Sequence, residues 1–436
     1  MKNLSYDDLK NYKRSMNEIP RKYFDTVNEI ITNVREKGDR ALFDYALKFD
    51  GVREGDYSIA VTPEEIAQAR KETREKYNDI FGYFMNAAAN IRAYHERQKD
   101  NGFSYRNNGS LYGQKVSPLD RAGLYVPGGS AFYPSTVLMN VIPARIAGVP
   151  EIYISTPPGK DGRIKNPLAV ALASELGVTG IFKAGGAQAI AAMAYGTETI
   201  PPVSKIMGPG NIYVAAAKLL VMGHVGIDSI AGPSEVVVFA DRTADPAWVA
   251  ADLCAQAEHT GDNTVILVSD SREFIGAVEN ALSVIVPTLS RRDLIGKSLR
   301  ENAFSVIVGS YKEGFEIING IAPEHVEVMI DMGEDEIISN IRNAGAIFIG
   351  GWTPVAAGDY YAGPNHVIPT NGTAVFSSPL GVYDFVKRTS YISLSREYIM
   401  EKGNEISSMA KFEELDAHAA SINARMKNAG VLSRPD

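Results

Sequence analysis

Short apolar runs alternate with segments of helical periodicity through the middle of the chain, and most of the runs end at turns rich in glycine or proline. Strand, turn and helix in this repeating order are typical of βαβ units on a parallel sheet. A first series of four strands is predicted at Gly123–Val126, Glu151–Ser155, Gly180–Lys183 and Lys205–Met207.

A second alternating series follows, with helical patterns between its strands. The chain is therefore predicted to be α/β, with two Rossmann-like parallel-sheet modules and helical N-terminal and C-terminal extensions. The predicted strands of the second module are Glu235–Ala240, Thr264–Val268, Ser305–Gly309, Val326–Ile330 and Ala346–Gly350.

The regions outside the two series are predicted to be helical. Thr62-Pro63-Glu64-Glu65 has the pattern of a capping box with proline at the first helical position. After Phe376 the alternation stops, and Ser395 to Lys427 is predicted to be one helix. Glu, Lys and Asn interrupt its apolar positions, so we expect this helix to pack on something other than the core of its own module.

Composition narrows the class of protein. The 436 residues are 45% hydrophobic and 22% charged, which is typical of a globular protein. The net charge of −8 argues against binding to nucleic acid, which requires a basic face. Cys254 is the single cysteine, so an intrachain disulfide and a zinc site made of several thiolates are both excluded.

The location is predicted to be cytoplasmic. Met1 to Tyr12 is charged and lacks the apolar stretch of a signal peptide. The longest apolar runs are interrupted by Gly or Pro well short of the roughly 20 residues that a membrane helix needs. No membrane partner is expected.

The chain has six histidines, and the segment from Asp245 to Gly261, which contains one of them, has the clearest local geometry. Asp245 and Pro246 predict a helix start, and Gly261 predicts its end. Gln256 and His259 lie one turn apart on the face that also holds Asp252, where two side chains can reach one metal ion. A solvated helix face explains the same spacing. The predicted apolar stripe is Ala247, Trp248, Ala251, Cys254 and Ala255.

Three further segments combine titratable side chains. Glu324 and His325 lead into a predicted strand, where a carboxylate and an imidazole can divide acid and base roles. Residues 357–366 form a predicted loop punctuated by glycine, in which Asp359 is a hard oxygen ligand and His366 an imidazole. Glu413 and His418 lie five residues apart on the C-terminal helix. An ordinary loop explains the first segment equally well. A polar surface loop is the alternative for the second, whose composition is more typical of binding, and a solvated helix is the preferred explanation of the third.

Nucleotide binding is suggested only by glycine-rich turns, because the pattern G-x-G-x-x-G is absent. Free amides at a helix N-terminus favour an anionic group such as pyrophosphate. Such turns are also common in α/β proteins for structural reasons. The candidates are Pro127-Gly128-Gly129, Gly185-Gly186-Ala187-Gln188 and Gly208-Pro209-Gly210-Asn211.

Taken together, these segments resemble the histidinol dehydrogenase family, over nearly the whole chain and in order. One mild departure is Ser229, which stands where an apolar residue is expected. The segments that carry the resemblance are 123–129, 185–192, 206–211, 230–235, 256–259, 321–325, 358–366 and the helix from Glu413 to His418.

The resemblance implies a role for each matching residue. It implies that one zinc ion per subunit is bound by Gln256, His259, Asp359 and His418, and that Glu324 and His325 are the catalytic pair. It implies that Ser234, His366 and Glu413 contact the substrate alongside the metal ligands and the catalytic pair. It implies that NAD is contacted by Tyr125, Gln188 and Asn211.

The resemblance also implies a homodimer with shared active sites, in which the C-terminal helix completes the partner's site. We expect four parts: a helical extension at 1–20 packing with the C-terminal part, a larger discontinuous α/β domain at 21–120 and 235–378 with the zinc and catalytic residues, an NAD-binding α/β domain at 121–234, and a helical extension at 379–436.

The implied reaction is a zinc-requiring, NAD-dependent four-electron oxidation of L-histidinol to L-histidine through L-histidinal, at the end of histidine biosynthesis. His325 is expected to take the alcohol proton, and Glu324 to activate the water that hydrates the aldehyde. Two alternatives remain: a related zinc and NAD dehydrogenase of another small amino alcohol or polyol, and a catalytically silent metal-binding or assembly protein.

Overall fold

The computed structural model describes residues 1–10, 19–52, 55, 57–128, 133–230, 232–259, 261 and 263–427. The chain divides into two compact units. The first unit comprises Met1–Gln98 and Leu119–Phe385, and the second comprises Lys99–Pro118 and Val386–Asp436.

Fourteen strands and seventeen helices are found in the described residues. The strands are β1 Lys2–Leu4, β2 Phe103–Asn107, β3 Ser110–Pro118, β4 Arg121–Tyr125, β5 Glu151–Ser155, β6 Gly180–Phe182, β7 Lys205–Met207, β8 Gly226–Ile227, β9 Glu235–Ala240, β10 Thr264–Ser269, β11 Ala303–Ile307, β12 His325–Met329, β13 Ala346–Ile349 and β14 Val386–Ser393.

The helices are α1 Tyr6–Lys10, α2 Arg21–Lys37, α3 Asp39–Tyr45, α4 Pro63–Lys76, α5 Asn78–His95, α6 Pro134–Ala147, α7 Pro167–Glu175, α8 Gly186–Tyr195, α9 Ile212–Val221, α10 Pro246–Ala257, α11 Arg272–Ile285, α12 Arg292–Glu301, α13 Tyr311–Ile321, α14 Glu334–Asn340, α15 Val355–Ala357, α16 Arg396–Phe412 and α17 Asp416–Lys427. Short π-helical turns follow α3 and α15, at Ala46–Asp50 and Gly358–Ala362.

Two parallel sheets form the core of the first unit. One has five strands in the order β6-β5-β4-β7-β8, and the other has six in the order β1-β11-β10-β9-β12-β13. Helices cover both faces of each sheet, as parallel sheets require. In each sheet the chain order reverses beside the first strand of the module, between β4 and β7 and between β9 and β12. Such a reversal leaves a crevice at the strand ends, where open α/β sheets bind ligands.

The predicted α/β class and its parallel sheets are confirmed. The strands at Glu151–Ser155, Lys205–Met207 and Glu235–Ala240 have the predicted bounds. The predicted strand Ser305–Gly309 instead runs from Ala303 to Ile307, where it pairs in register with β10. The capping box at Thr62 is present with both of its reciprocal hydrogen bonds.

The N-terminal extension differs from the prediction of a helix over residues 1–20. Lys2–Leu4 is a strand that pairs in parallel with β11 at the edge of the six-stranded sheet. The short helix α1 follows, and Leu9 is buried in the core beneath that sheet. The pairing gives the backbone groups of β11 a partner, which local propensity could not predict. The rest of the predicted extension, residues 11–18, lies outside the described residues.

The second unit contains an antiparallel sheet that the sequence did not predict. Its strand order is β14-β3-β2. The helix predicted from Ser395 to Lys427 is in fact two helices, α16 and α17, with a break at residues 413–415, where Glu414 has a φ of +60°. Gly403 in α16 lies directly against Met426 in α17, so these helices form a closely packed hairpin.

Within the described residues, none of the helices combines the length and the apolar character needed to cross a membrane.

A buried ion pair fixes the turn between β7 and α9. Lys218 Nζ donates to Asp228 Oδ1 and to the carbonyl oxygen of Gly208, both at 2.6 Å. Asp228 Oδ2 accepts the amide hydrogen of Gly208 at 2.7 Å. Ser229, the residue that departs from the family pattern, offers Lys218 its backbone carbonyl, at 3.4 Å.

Lys218→Met should lower the free energy of unfolding by about 3–5 kcal/mol, because the Asp228 carboxylate is left buried and unpaired. The double variant Lys218→Met/Asp228→Asn should recover part of that loss. Urea unfolding followed by circular dichroism measures both variants. A Lys218→Met protein as stable as the parent would show that the pair is dispensable.

Candidate active site and ligand-sized cavity

His325 is the centre of a buried cluster of titratable groups at the amino edge of the six-stranded sheet. It is the first residue of β12 and is 4% exposed. Neither ring nitrogen makes a hydrogen bond. Glu324 Oε2 lies 3.7 Å from Nδ1, and Asp359 Oδ1 lies 3.6 Å from Nε2. Burial opposes a charge on the ring, but the two carboxylates outweigh it and raise the pKa of His325 above its usual value.

Glu324 is held in place by the strand that neighbours β12. Its Oε2 accepts the backbone amide hydrogen of Glu235, the first residue of β9, at 3.1 Å. Ser234 precedes β9 at the same edge, and its carbonyl accepts the amide of Thr264. The predicted catalytic pair and the predicted substrate contact Ser234 thus belong to neighbouring strand ends.

Helix α10 approaches this edge with its C-terminal end. Asp245 is the N-cap as predicted. The helix ends at Ala257, not at Gly261, so Gln256 lies in its last turn and His259 lies beyond it. Gln256 is 3% exposed, and its Nε2 is buried without a hydrogen-bond partner. Loss of water around the His259 ring lowers the pKa of this residue. The negative charge of Asp359 raises that pKa, but by less.

The apolar stripe predicted for α10 is wrong in part. Trp248 is 40% exposed and contacts Trp352 at the surface. Val249, Ala250 and Leu253 are buried instead, because the helix packs over the sheet one position away from the predicted stripe. Cys254 is buried, as predicted, and burial raises its pKa to about 11.

Asp359 lies in the π-helical turn Gly358–Ala362 and not in an open loop as predicted. Such turns are often found at functional sites. The charge of His325 keeps the pKa of Asp359 below its usual value, despite burial that would raise it. The Asp359 carbonyl contacts Nδ1 of His366 at 3.0 Å, and Nε2 of His366 lies 3.4 Å from Thr136 Oγ1 in α6. Burial lowers the pKa of His366.

The described residues contain no group of three or more His, Cys, Asp or Glu side chains arranged to hold a metal ion. The donors brought to this edge are an amide, imidazoles and a carboxylate, which are chemically suited to zinc. The atom of Gln256 that is buried without a hydrogen-bond partner is Nε2, a donor that does not bind a metal ion, so the fit to zinc rests on the chemistry of the donor set.

A cavity of about 540 Å³ opens at the carboxyl edge of the five-stranded sheet. Tyr125 ends β4, Gln188 lies in the first turn of α8, and Asn211 caps α9. The structure brings all three predicted NAD contacts together around this cavity. The Tyr125 hydroxyl accepts the amide of Gly186 at 3.0 Å, and burial raises the pKa of Tyr125 to about 12.

Other residues that line the cavity were not found from the sequence. Asp50 has a buried Oδ2 without a hydrogen-bond partner, and burial raises its pKa to about 6. Lys160 and Lys165 add positive charge to the same wall. Asp50 ends a π-helical turn far from the glycine-rich turns, so no local motif marked it. Gly129 of the predicted turn lies outside the described residues.

Glu413 and His418 belong to the second unit. Glu413 is the C-cap residue that follows α16, and His418 lies in the first turn of α17, so they are not on one continuous helix as predicted. Both side chains are exposed. Phe412, beside Glu413, is 91% exposed.

A buried acid–base cluster at the edge of one sheet and a ligand-sized cavity at the carboxyl edge of the other are features expected of an enzyme. Comparison with known proteins identifies which kind. The family model for histidinol dehydrogenase matches residues 13–426. The chain belongs to the histidinol dehydrogenase family and is an oxidoreductase.

Curated relatives and a solved structure agree with the family. Histidinol dehydrogenase from Halalkalibacterium halodurans is 46% identical over 429 residues, which cover 98% of this chain and all of the relative. The Bacillus subtilis enzyme is 48% identical over 426 residues, covering 98% of each. The crystal structure of histidinol dehydrogenase from Elizabethkingia anophelis has a TM-score of 0.91 at 34% identity and covers 98% of each chain.

Gly358→Ala should destabilise the protein by about 1–3 kcal/mol, because the added Cβ would lie 2.5 Å from the Phe348 ring. Gly276→Ala is the matched control, since a Cβ there, in the middle of α11, meets nothing within 4 Å. That control should be neutral or slightly stabilising. Thermal unfolding measures both, and equal stability of the two variants would refute close packing at Gly358.

Proposed function

We propose that this enzyme oxidises L-histidinol to L-histidine through L-histidinal, using two NAD and one zinc ion per subunit, as the last steps of histidine biosynthesis in the cytoplasm. The observation that carries the proposal is the imidazole of His325 between Glu324 and Asp359. The chain belongs to the histidinol dehydrogenase family, and an imidazole in this position can act as a base in both oxidations. In each one it would remove a proton from the oxygen on the reacting carbon.

The cavity beside Tyr125 is the proposed NAD site. Its glycine-rich rim and the N-terminus of α8 offer backbone amides to a pyrophosphate. The two lysines add charge of the right sign. The unpartnered Asp50 carboxylate suits the hydroxyl groups of a ribose. Gln188 and Asn211 supply amide groups that can fix the orientation of the dinucleotide.

We propose Gln256, His259, Asp359 and His418 as the zinc ligands. The support is the chemistry of the donors, since imidazole nitrogen, carboxylate oxygen and amide oxygen are all groups that bind zinc. When bound, zinc would orient the imidazole and amine of the substrate, and NAD would accept the hydride. Ser234, His366 and Glu413 are proposed to contact the same substrate.

The two catalytic residues have separate proton tasks. His325 takes the alcohol proton as the hydride leaves the carbon, releases that proton to solvent, and then takes the proton of the hydrated aldehyde. Glu324 removes a proton from the water that adds to the aldehyde, and the Glu235 amide keeps its carboxylate oriented. Proximity of the two side chains lets the intermediate react without leaving the site.

A homodimer with shared sites is part of the proposal. The support is the exposure of Glu413 and His418 next to exposed apolar residues of the same hairpin, including Phe412 and Met409. Apolar surface of this kind is typical of a contact with another chain. A partner subunit that supplies Glu413 and His418 would give these residues a function that the chain alone leaves unexplained.

Glu324→Gln should slow the oxidation of histidinal by about 10²–10⁴-fold and slow the first oxidation much less, because only the second step needs an activated water. NADH absorbance with histidinol and with histidinal as separate substrates measures the two steps. If the variant oxidised histidinal as fast as the parent, the assignment of Glu324 would be wrong.

Shared sites predict complementation between inactive variants. Gln256→Ala and His418→Ala should each be inactive alone, since each loses a zinc ligand. Co-expressed, about half of the dimers should be mixed with one intact site each, which restores about a quarter of the parental activity. Continued inactivity of the mixture would mean that each subunit builds its site from its own residues.

A further inference from the structure

A buried carboxylate, Glu327, connects the strand of His325 to the turn of Asp359. Glu327 lies two residues after His325 on β12, and alternate residues of a strand point to the same face. Its side chain is fully buried. A carboxylate in such a place is costly unless it has a task or a partner.

Glu327 contacts the start of the segment that carries Asp359. Its Oε1 accepts the backbone amide hydrogen of Val355 at 2.8 Å. Val355 is the first residue of α15, which continues directly into the π-helical turn Gly358–Ala362. The hydrogen-bonded amide is therefore one of those that a helix start leaves without an intrahelical partner.

A second contact limits where this turn can lie. Gly358 packs directly on the ring of Phe348, and Phe348 is the cross-strand neighbour of Glu327 on β13. The Phe348 ring centroid is 5.9 Å from that of His325. One polar and one apolar contact thus seat the turn on two adjacent strands.

The other carboxylate oxygen of Glu327 takes no part in the contact with Val355. Oε2 is buried and makes no hydrogen bond. Burial, together with the charge of Asp252 on α10, raises the pKa of Glu327 to about 8, and burial raises the pKa of Asp252 to about 6. Asp252 lies one turn before Gln256 on α10. The hydrogen bond of Glu327 is therefore with the segment that carries Asp359, and α10 acts on it only through the charge of Asp252.

We propose that Glu327 is a positioning residue for the reaction: by holding the Val355 amide it seats the Asp359 turn on the strand of His325 and sets the separation between the metal ligand Asp359 and the base. The inference rests on the proposed function for the identity of the metal. The seating of the turn itself does not depend on any ligand.

The loss variant is Glu327→Met, which keeps the apolar volume and removes the acceptor. Glu327→Gln keeps an acceptor for the Val355 amide and should rescue. Met329→Ala, on the same face of the same strand, is the control for a merely structural loss, since Met329 is buried in the core between β12 and α10.

A second variant approaches the same bond from the donor. Val355→Pro removes the amide hydrogen at the first helical position, which proline tolerates. Pro354, before it, already has the extended conformation that a following proline requires, with φ of −70° and ψ of 153°. This variant leaves Glu327 unchanged, so it stays informative if Glu327→Met does not fold.

Two measurements on the whole enzyme test the proposal. Competition with a chromogenic chelator should show Zn²⁺ affinity 10–100-fold weaker in Glu327→Met and Val355→Pro, and within about threefold of the parent in Glu327→Gln and Met329→Ala. Hydrogen exchange of residues 355–362 in the metal-free enzyme should be faster in the first pair alone. NAD affinity, from the separate cavity, should not change in any variant.

Equal Zn²⁺ affinity and equal exchange in Glu327→Met and Met329→Ala would overturn the positioning role, and so would a Glu327→Gln enzyme as impaired as Glu327→Met. A parent enzyme that binds no Zn²⁺ and does not oxidise histidinol would refute the proposed function. In that case hydrogen exchange alone would still decide whether Glu327 seats the turn.

Discussion

The imidazole of His325, buried between Glu324 and Asp359, is the interaction around which the site is organised. A different part of the structure positions each of these three residues. Strand β12 places His325, the Glu235 amide orients Glu324, and a π-helical turn holds Asp359. Buried charges of opposite sign stabilise each other only when their geometry is fixed. The elements that carry the trio must therefore be rigid, and the doubly covered sheet provides that rigidity.

The two modules share one strand order but use opposite edges. The cavity lies at the carboxyl edge of the five-stranded sheet, as the rule for open α/β sheets requires. The His325 cluster lies at the amino edge of the six-stranded sheet, where α10 ends. His366 connects the modules within the first unit, because its ring contacts Thr136 of α6 on one side and the Asp359 carbonyl on the other.

The sequence predicted the parts of the fold that are buried on both faces. Strands such as Glu235–Ala240 are continuous apolar runs between turns, and this pattern is strong. The antiparallel sheet of the second unit was missed because β2 and most of β14 are exposed and show no apolar alternation. The strand β1 was missed because three residues are too few for any periodicity.

The candidate site was predictable only where residues fall in long motifs. Gln256, Glu324 and Asp359 came from segments with a family resemblance. Asp50 and Glu327 were missed because their importance depends on long-range contacts: one faces a cavity formed by another part of the chain, and the other reaches a backbone amide 28 residues away.

We propose that one site, built around His325, serves both hydride transfers from the same carbon. The most direct test is the amount of NADH formed per histidinol consumed, with NAD in excess and histidine measured as the product. Two NADH per histidinol, with no accumulation of free aldehyde, is the predicted result. One NADH per histidinol, with the aldehyde as the final product, would contradict the account.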